Sequence, residues 1–301
     1  MPVIVVDAPR SVIADLSAAF YGSPTSAFTT VGITGTQGKT TTTYLAEAAL
    51  GDRRSAVVGT IGTRIGKVPA PSSLTTPEAP QLQALFAVMR EEQVELCAME
   101  VSSHALVQGR VDGFSFDVSV FLNLGRDHLD FHHSIDEYFL AKAALFTPEH
   151  SRHAVINIDD EHGRRLVELT PLPVTTFSTD GNPADWRAAN IRPHRLGTDL
   201  EVLGPEGLAV DLSVPLPGVF NVSNALAVMA ALTTAGHDPV EARRRDRREH
   251  RGPRTDGTRR RRPALHRDRR LRAQARCRLS SPERAATRDG RSPHRRDRCR
   301  R

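Results

Sequence analysis

Lysine is almost missing from this 301-residue chain: it occurs at positions 39, 67 and 142 only, against 38 arginines. Each lysine therefore stands out from an arginine-dominated background of charge. Cysteine is scarce too. Cys97, Cys277 and Cys299 form neither a metal-ligand spacing nor a disulfide framework. Cys97 lies in the apolar run Leu96-Cys97-Ala98-Met99 and is expected to be a buried thiol. No apolar run approaches the roughly 18 residues of a membrane span. The stretch from Val3 to Val6 has no basic flank or long apolar core, so it does not read as a secretory leader. A cytoplasmic protein with no membrane partner is the expectation.

The last 61 residues lack Val, Ile, Phe, Tyr, Trp, Met and Lys altogether. They carry 25 Arg and 8 acidic residues, a net charge of +17, whereas residues 1–240 carry −11. The overall +6 is thus a sum over two unlike pieces. Taken alone, the pI of about 9.8 would suggest nucleic-acid binding. The acidic, ordinary globular composition of the first 240 residues argues against it. A segment without β-branched aliphatics, aromatics or periodicity cannot offset its ordering entropy, so 241–301 is expected to be disordered.

Residues 1–240 alternate strand-like and helix-like runs. Phe28 to Ile33 reads as a strand ending in a Gly-rich loop, followed by a helix from Thr40 to Leu50 with Leu45, Ala48 and Ala49 on one face. Val57-Val58 reads as the next strand. Pro77 to Glu92 reads as a helix, with Leu82, Leu85, Phe86 and Met89 at helical spacing. Leu96–Met99, Val118–Leu122 and Ala154–Ile158 are short continuous apolar runs, the pattern of strands buried on both faces. The expectation is an α/β domain with a mostly parallel sheet and helices on both faces, plus a small antiparallel patch between about Ala189 and Val214. Further helices are expected from Ser11 to Phe20, Ile135 to Phe146 and Asn221 to Ala235. Val3 to Asp7 reads as one more strand.

Five motifs carry chemistry. Thr34-Gly35-Thr36-Gln37-Gly38-Lys39-Thr40-Thr41 joins strand to helix as a phosphate cradle, with backbone N–H groups and Lys39 facing an anion and Thr40 able to ligate Mg²⁺. Glu100 ends a central strand at the usual exit to a ligand cleft, where a carboxylate suits Mg²⁺ or is merely solvated. Ser102-Ser103-His104 leads to Gln108 and Arg110, a residue able to clamp a carboxylate bidentately. Asn123-Leu124-Gly125-Arg126-Asp127-His128 follows the strand ending at Leu122. Lys142 lies on a helix near one face with Tyr138 and Leu145, and could simply snorkel. His132-His133 reads as exposed loop. Thr76-Pro77-Glu78 alone is a helix start with Pro at the first position. Asn221 could be a helix N-cap.

In this order, from about Val3 to Val240, the motifs resemble the Mur ligases, and within them the branch that adds the third residue of the peptidoglycan stem peptide. The chain has Gln37 and Gly125 where the family usually has Asn and Ser. The resemblance implies a central P-loop ATPase domain at 28–240, with 1–27 a remnant of a UDP-substrate domain. It implies ATP bound by Gly35, Thr36, Gly38, Lys39, Thr40 and Thr41, with Asn123 and Asn221 approaching the nucleotide. Two Mg²⁺ would be held by Thr40, Glu100, His128 and Lys142, the last carbamylated by CO₂. The catalytic set would be Lys39, Glu100, His128 and Lys142. Thr75, Thr76, Ser102, Gln108 and Arg110 would contact UDP-MurNAc-L-Ala-D-Glu. The implied reaction is ATP-driven amide formation through an acyl phosphate, adding diaminopimelate or lysine, by a monomer. GC-rich coding favours diaminopimelate.

The resemblance also implies that a C-terminal domain holds the amino acid, and 241–301 is expected to replace it out of frame. With chosen codons, residues 252–259 read V-P-G-R-M-E-R one base forward, and residues 270–276 read D-Y-A-H-K-P. Both strings look like the start of that domain. The chain itself is then expected to be an inactive or weakened ATP-binding fragment. An arginine-rich arm for nucleic acid is the alternative.

Overall fold

The computed structural model describes residues 5–51, 54–70, 74–128 and 130–238. The expectations for 241–301 lie outside the described residues, as do Val3 and Ile4. Val5 to Asp7 are not in a strand.

Helix α1 (Pro9–Phe20) leads through a short 3-10 turn to β1 (Thr29–Thr34). Then follow α2 (Lys39–Leu50), β2 (Ser55–Gly59), β3 (Gly62–Ile65), β4 (Val68–Ala70), α3 (Ala79–Glu91), β5 (Leu96–Glu100) and α4 (Ser103–Val107). The chain continues with β6 (Phe116–Phe121), α5 (Ile135–Ala143), β7 (Ser151–Asn157), α6 (Glu161–Leu169) and β8 (Val174–Ser178). Last come β9 (Trp186–His194), β10 (Gly197–Leu203), β11 (Ala209–Val214) and α7 (Phe220–Thr234).

All eleven strands form one sheet, in the order β11-β10-β9-β8-β7-β6-β1-β5-β2-β3-β4. Its centre is parallel, as expected. The expected antiparallel patch is β9–β11, joined to the sheet through the parallel pair β8/β9. A second antiparallel patch, β2–β4, closes the other edge and was not expected.

Period-two alternation sends successive residues of the central strands into cores on opposite faces. Leu96 and Ala98 join the core on one face with Ala46 and Leu50 of α2 and most of α7. Cys97 and Met99 join the other with Leu82, Phe86 and Met89 of α3, Tyr138 and Phe139 of α5, and Leu166 of α6. Cys97 is buried as expected, and burial pushes its thiol up to about 12. The buried face of α2 differs from the expected one: Thr42, Thr43, Ala46 and Leu50 are buried, Leu45 and Ala49 only partly, and Ala48 is exposed. Helix α2 packs both on β1, β2 and β5 and on α7, which lies beside it on the same face of the sheet, so its buried side is wider than one apolar stripe and takes in Thr42 and Thr43. Pro77 precedes α3, whose first position is Ala79 with Pro80 next.

Strand β1 lies between β5 and β6, while the helix after it leads outward to β2. The strand order thus changes direction beside β1, where open α/β sheets place ligands beyond the carboxyl ends of the strands. The segments leaving β1, β5 and β6 carry the phosphate-type loop, Glu100 and Asn123.

Candidate functional site

The loop between β1 and α2 depends on two glycines. Gly35 has φ 154° and Gly38 φ 89°, backbone regions that L side chains rarely adopt. A Cβ on Gly38 would stand 2.6 Å from Asn224 Oδ1 of α7, and one on Gly35 would stand 3.0 Å from Leu122 Cβ. Gly38 is also the N-cap of α2 and offers no side chain, so the first-turn N–H groups of Lys39, Thr40 and Thr41 have no side-chain cap. That leaves positive dipole and free donors at the loop.

Asn123 braces the loop from the next strand. Its Oδ1 accepts from Thr36 N at 3.1 Å and Gln37 N at 3.0 Å, and its Nδ2 donates to Gln37 O at 3.2 Å. Asp160, the N-cap of α6, steadies the same segment by accepting from Leu124 N at 2.9 Å.

Two lysines converge on one carbonyl. Lys39 Nζ donates to Gly35 O at 2.8 Å and Thr36 O at 3.1 Å. Lys142 Nζ, on a helix 107 residues away, donates to the same Gly35 O at 3.2 Å. Lys142 is 1% exposed and lies 4.6 Å over the Tyr138 ring, so it does not snorkel to solvent. Burial, with help from the Lys39 charge and against Asp127, pushes the Lys142 ammonium down to about 7. Burial lowers Lys39 as well, opposed by Glu100 and Asp127.

Glu100 is 1% exposed. Its carboxylate accepts from Thr60 N at 2.9 Å and Thr60 Oγ1 at 3.0 Å, and among the described residues no cationic side chain is within ion-pair distance. A buried carboxylate held only by neutral donors suits a hard cation. Gly59 is required beside it, because a Cβ there would stand 2.2 Å from Glu100 Oε1. His128 is half exposed, with left-handed φ 53°, and its ring stands edge-on to His104 at 4.9 Å. Among the described residues no three His, Cys, Asp or Glu side chains form a metal centre.

Thr76 joins two sequence-distant motifs. Its Oγ1 donates to Glu100 O at 2.8 Å and accepts from Ser102 N at 3.3 Å, and its carbonyl accepts from Arg110 at 3.1 Å. Arg110 also donates to Gln108 Oε1 at 2.6 Å and pairs with Glu78 at 3.0 Å. Thr75 Oγ1 lies 3.1 Å from Thr60 Oγ1. Ser102 caps α4 by accepting from Ala105 N. Thr75, Thr76, Ser102, Gln108 and Arg110 are thus one hydrogen-bonded wall next to Glu100.

Two expectations change. His132 is buried, at 4% exposure, with its Nε2 2.8 Å from Ser103 Oγ, although its neighbour His133 is exposed. The burial comes from tertiary contact with α4 and Tyr138, which the local sequence does not announce. Asn221 is not an N-cap. Val219 holds that position, and Asn221 is buried in the first turn of α7, donating to Pro217 O at 2.9 Å. Asn224 was not singled out, yet it is the α7 residue against Gly38; its amide donates to Asn221 Oδ1 at 3.3 Å.

A family model described as the Mur ligase middle domain matches residues 33–232. The chain belongs to the Mur ligase family. It is 51% identical over 244 residues to the UDP-N-acetylmuramoyl-L-alanyl-D-glutamate--2,6-diaminopimelate ligase of Streptomyces avermitilis, covering 80% of this chain and 48% of the relative. It is 45% identical over 243 residues to the ligase of the same name from Corynebacterium glutamicum, covering 79% and 47%. A solved structure of a ligase of this name is similar with TM-score 0.71 at 31% identity, over 79% of this chain and 50% of that one. The chain therefore spans about half the length of the curated relatives it matches. Gln37 meets Asn123 only through its backbone. Gly125 donates its N–H to Thr36 Oγ1 at 2.9 Å, and a Cβ there would still be 3.7 Å from Thr36. Among the described residues no helix is long and apolar enough to cross a membrane.

Proposed function

We propose that residues 28–240 are the ATP-binding domain of a ligase that adds meso-diaminopimelate to UDP-MurNAc-L-Ala-D-Glu. The observation that carries this reading is the convergence of Lys39 and Lys142 on Gly35 O, with the Thr76–Ser102–Arg110 wall joined to Glu100. The identity to diaminopimelate ligases supports the amino acid.

Mg-ATP, when bound, supplies the phosphoryl group that activates a carboxylate for amide formation. The chain's own residues provide position and charge. The glycine loop, the N-terminus of α2 and Lys39 suit the phosphates, and Thr40, Glu100 and His128 suit Mg²⁺. Asn221 and Asn123 border the nucleotide. Lys142 fits carbamylation, because a pKa near 7 leaves much of the amine neutral: its nitrogen bonds the carbon of CO₂ and releases a proton. The resulting carboxylate would be able to hold Mg²⁺ with Thr40, Glu100 and His128, and would reverse the sign of charge beside Lys39. Arg110, held by Glu78 and Gln108, suits a carboxylate of the dipeptide.

The test is calorimetric titration of residues 1–301 with Mg-AMPPNP in bicarbonate buffer. Binding is expected in the wild type and loss in Lys39→Ala. Equal binding by both proteins, or none by either, rejects the reading. Ligation by residues 1–301 alone, followed by product analysis, is expected near background, since the chain spans half of its relatives.

A further inference from the structure

His132 is a buried, hydrogen-bonded side chain to which the mechanism above gives no task. Its Nε2 is 2.8 Å from Ser103 Oγ, itself 1% exposed at the start of α4. Its ring lies tilted over Tyr138 at 5.0 Å between centroids. Tyr138 continues the path in two directions. Its hydroxyl is 3.2 Å from Thr36 Oγ1 of the phosphate-type loop, and its ring face lies under Lys142 Nζ. Thr36 Oγ1 in turn accepts from Gly125 N. His104, next to Ser103, approaches His132 at 5.8 Å and His128 at 4.9 Å.

Two parts of the site thus share one buried pillar. On one side is α4, whose cap Ser102 belongs to the wall around Thr76 and Arg110. On the other is the loop of Gly35 to Lys39. We propose that His132 is a positioning residue that couples occupancy of the α4 wall to the conformation of the phosphate loop, through Ser103 on one side and Tyr138–Thr36 on the other. A shift of α4 on binding an acidic muramoyl dipeptide would move Ser103, turn the His132 ring against Tyr138, and adjust the Thr36 contact. With the loop ordered by that shift the dipeptide tightens the nucleotide, and by linkage the nucleotide tightens the dipeptide by the same factor. The inference rests on the ligase reading for the identity of both ligands.

The experiment is a thermodynamic cycle on residues 1–301. The Kd of Mg-AMPPNP is measured with and without saturating UDP-MurNAc-L-Ala-D-Glu. In the wild type the dipeptide is expected to tighten the nucleotide by about 10-fold, within the usual range for coupled sites. His132→Phe keeps a ring on Tyr138 and removes the link to Ser103. It is expected to bring that factor below twofold, while the affinity for nucleotide alone stays within threefold. Ser103→Ala is expected to lower the factor equally, and the double variant to lower it no further. His132→Gln places an amide near the Nε2 position and is expected to restore at least half of the factor. A general packing role would not produce this pattern of non-additivity and rescue. Wild-type binding of both ligands without coupling, or full coupling in His132→Phe or in Ser103→Ala, overturns the inference alone. Absence of nucleotide binding by the wild type overturns the ligase reading and the inference with it, and nucleotide binding without any dipeptide binding overturns the assignment of the α4 wall and hence the inference.

Discussion

Replacing Lys142 by Met is expected to stabilise the folded domain at pH 6 and to lose that advantage as the pH rises. Lys142 is almost fully buried, and its pKa falls from an ordinary 10.5 to about 7, first through desolvation and then through Lys39. A depressed lysine pKa means that the unfolded chain holds more protons than the folded one between about pH 7 and pH 10.5. Wild-type stability contributed by this group therefore rises with pH across that window. Below pH 7 the whole penalty for a buried ammonium is present. The shift is about 3.5 units at about 1.4 kcal/mol each, an upper figure of about 5 kcal/mol. At pH 9.5 about one unit of penalty, or about 1.4 kcal/mol, remains. Met has similar length and no charge to desolvate. It forfeits the hydrogen bond to Gly35 O and the contact with Tyr138, together about 2 kcal/mol and largely independent of pH. The difference in unfolding free energy between Lys142→Met and wild type should then fall by about 3 kcal/mol from pH 6 to pH 9.5. Paired urea titrations in CO₂-free buffers measure it, with the CO₂ removed so that the amine stays an amine. Two stability curves that run parallel across the window would show that Lys142 keeps an ordinary pKa, and the argument for a reactive neutral amine would fail.

Gly59→Ala puts a methyl group 2.2 Å from where Glu100 Oε1 now stands, so the carboxylate must move; Mg²⁺-dependent nucleotide affinity should drop at least about 10-fold, about 1.4 kcal/mol, with circular dichroism unchanged. Retained Mg²⁺ dependence would remove Glu100 from the metal site. Asn123→Ala deletes the side-chain acceptor of Gln37 N and one of two acceptors of Thr36 N, the backbone Asn123 O remaining, and should cost about 1 to 3 kcal/mol of loop order. Faster amide exchange at residues 35–38 is the measure, and unchanged exchange would count against the brace. Resequencing the codons for residues 236–255 is expected to reveal a single-base insertion or deletion near Val240 to Arg251. If no open frame carries V-P-G-R-M-E-R and D-Y-A-H-K-P, residues 241–301 are read in their true frame.

The parallel centre was legible because burial on both faces leaves short apolar runs in β5, β6 and β7, and because β1 runs into a Gly-rich turn followed by a helix. The elements that escaped notice lack that mark. In β8 only Phe177 and Ser178 are buried, so no continuous apolar run marks the strand. Helix α6 buries only Gly163 and Leu166 in a charged stretch. Its glycine, which reads locally as a breaker, is needed because a Cβ there would stand 1.8 Å from Asn157 O. The edge hairpin β3–β4 is short and half exposed, so its alternation is too brief to detect.

The site shows the same division between local and distant information. Glu100 and Asn123 were visible because polar or charged residues at the ends of strands are anomalous unless they face a ligand or a partner, Lys39 because it follows a Gly-rich turn into a helix, and Arg110 only through the motif it belongs to. What they touch was not visible. Gly35 meets Lys142 across 107 positions, Thr76 meets Arg110 across 34, and Ser103 meets His132 across 29. These long contacts set the chemistry. Burial beneath Tyr138 and the loop is what chiefly disfavours the Lys142 ammonium, and the Lys39 charge on the same carbonyl adds to it. Only the fold, by bringing α5 against the end of β1, buries Lys142 beside Lys39 and pushes its ammonium down to about 7.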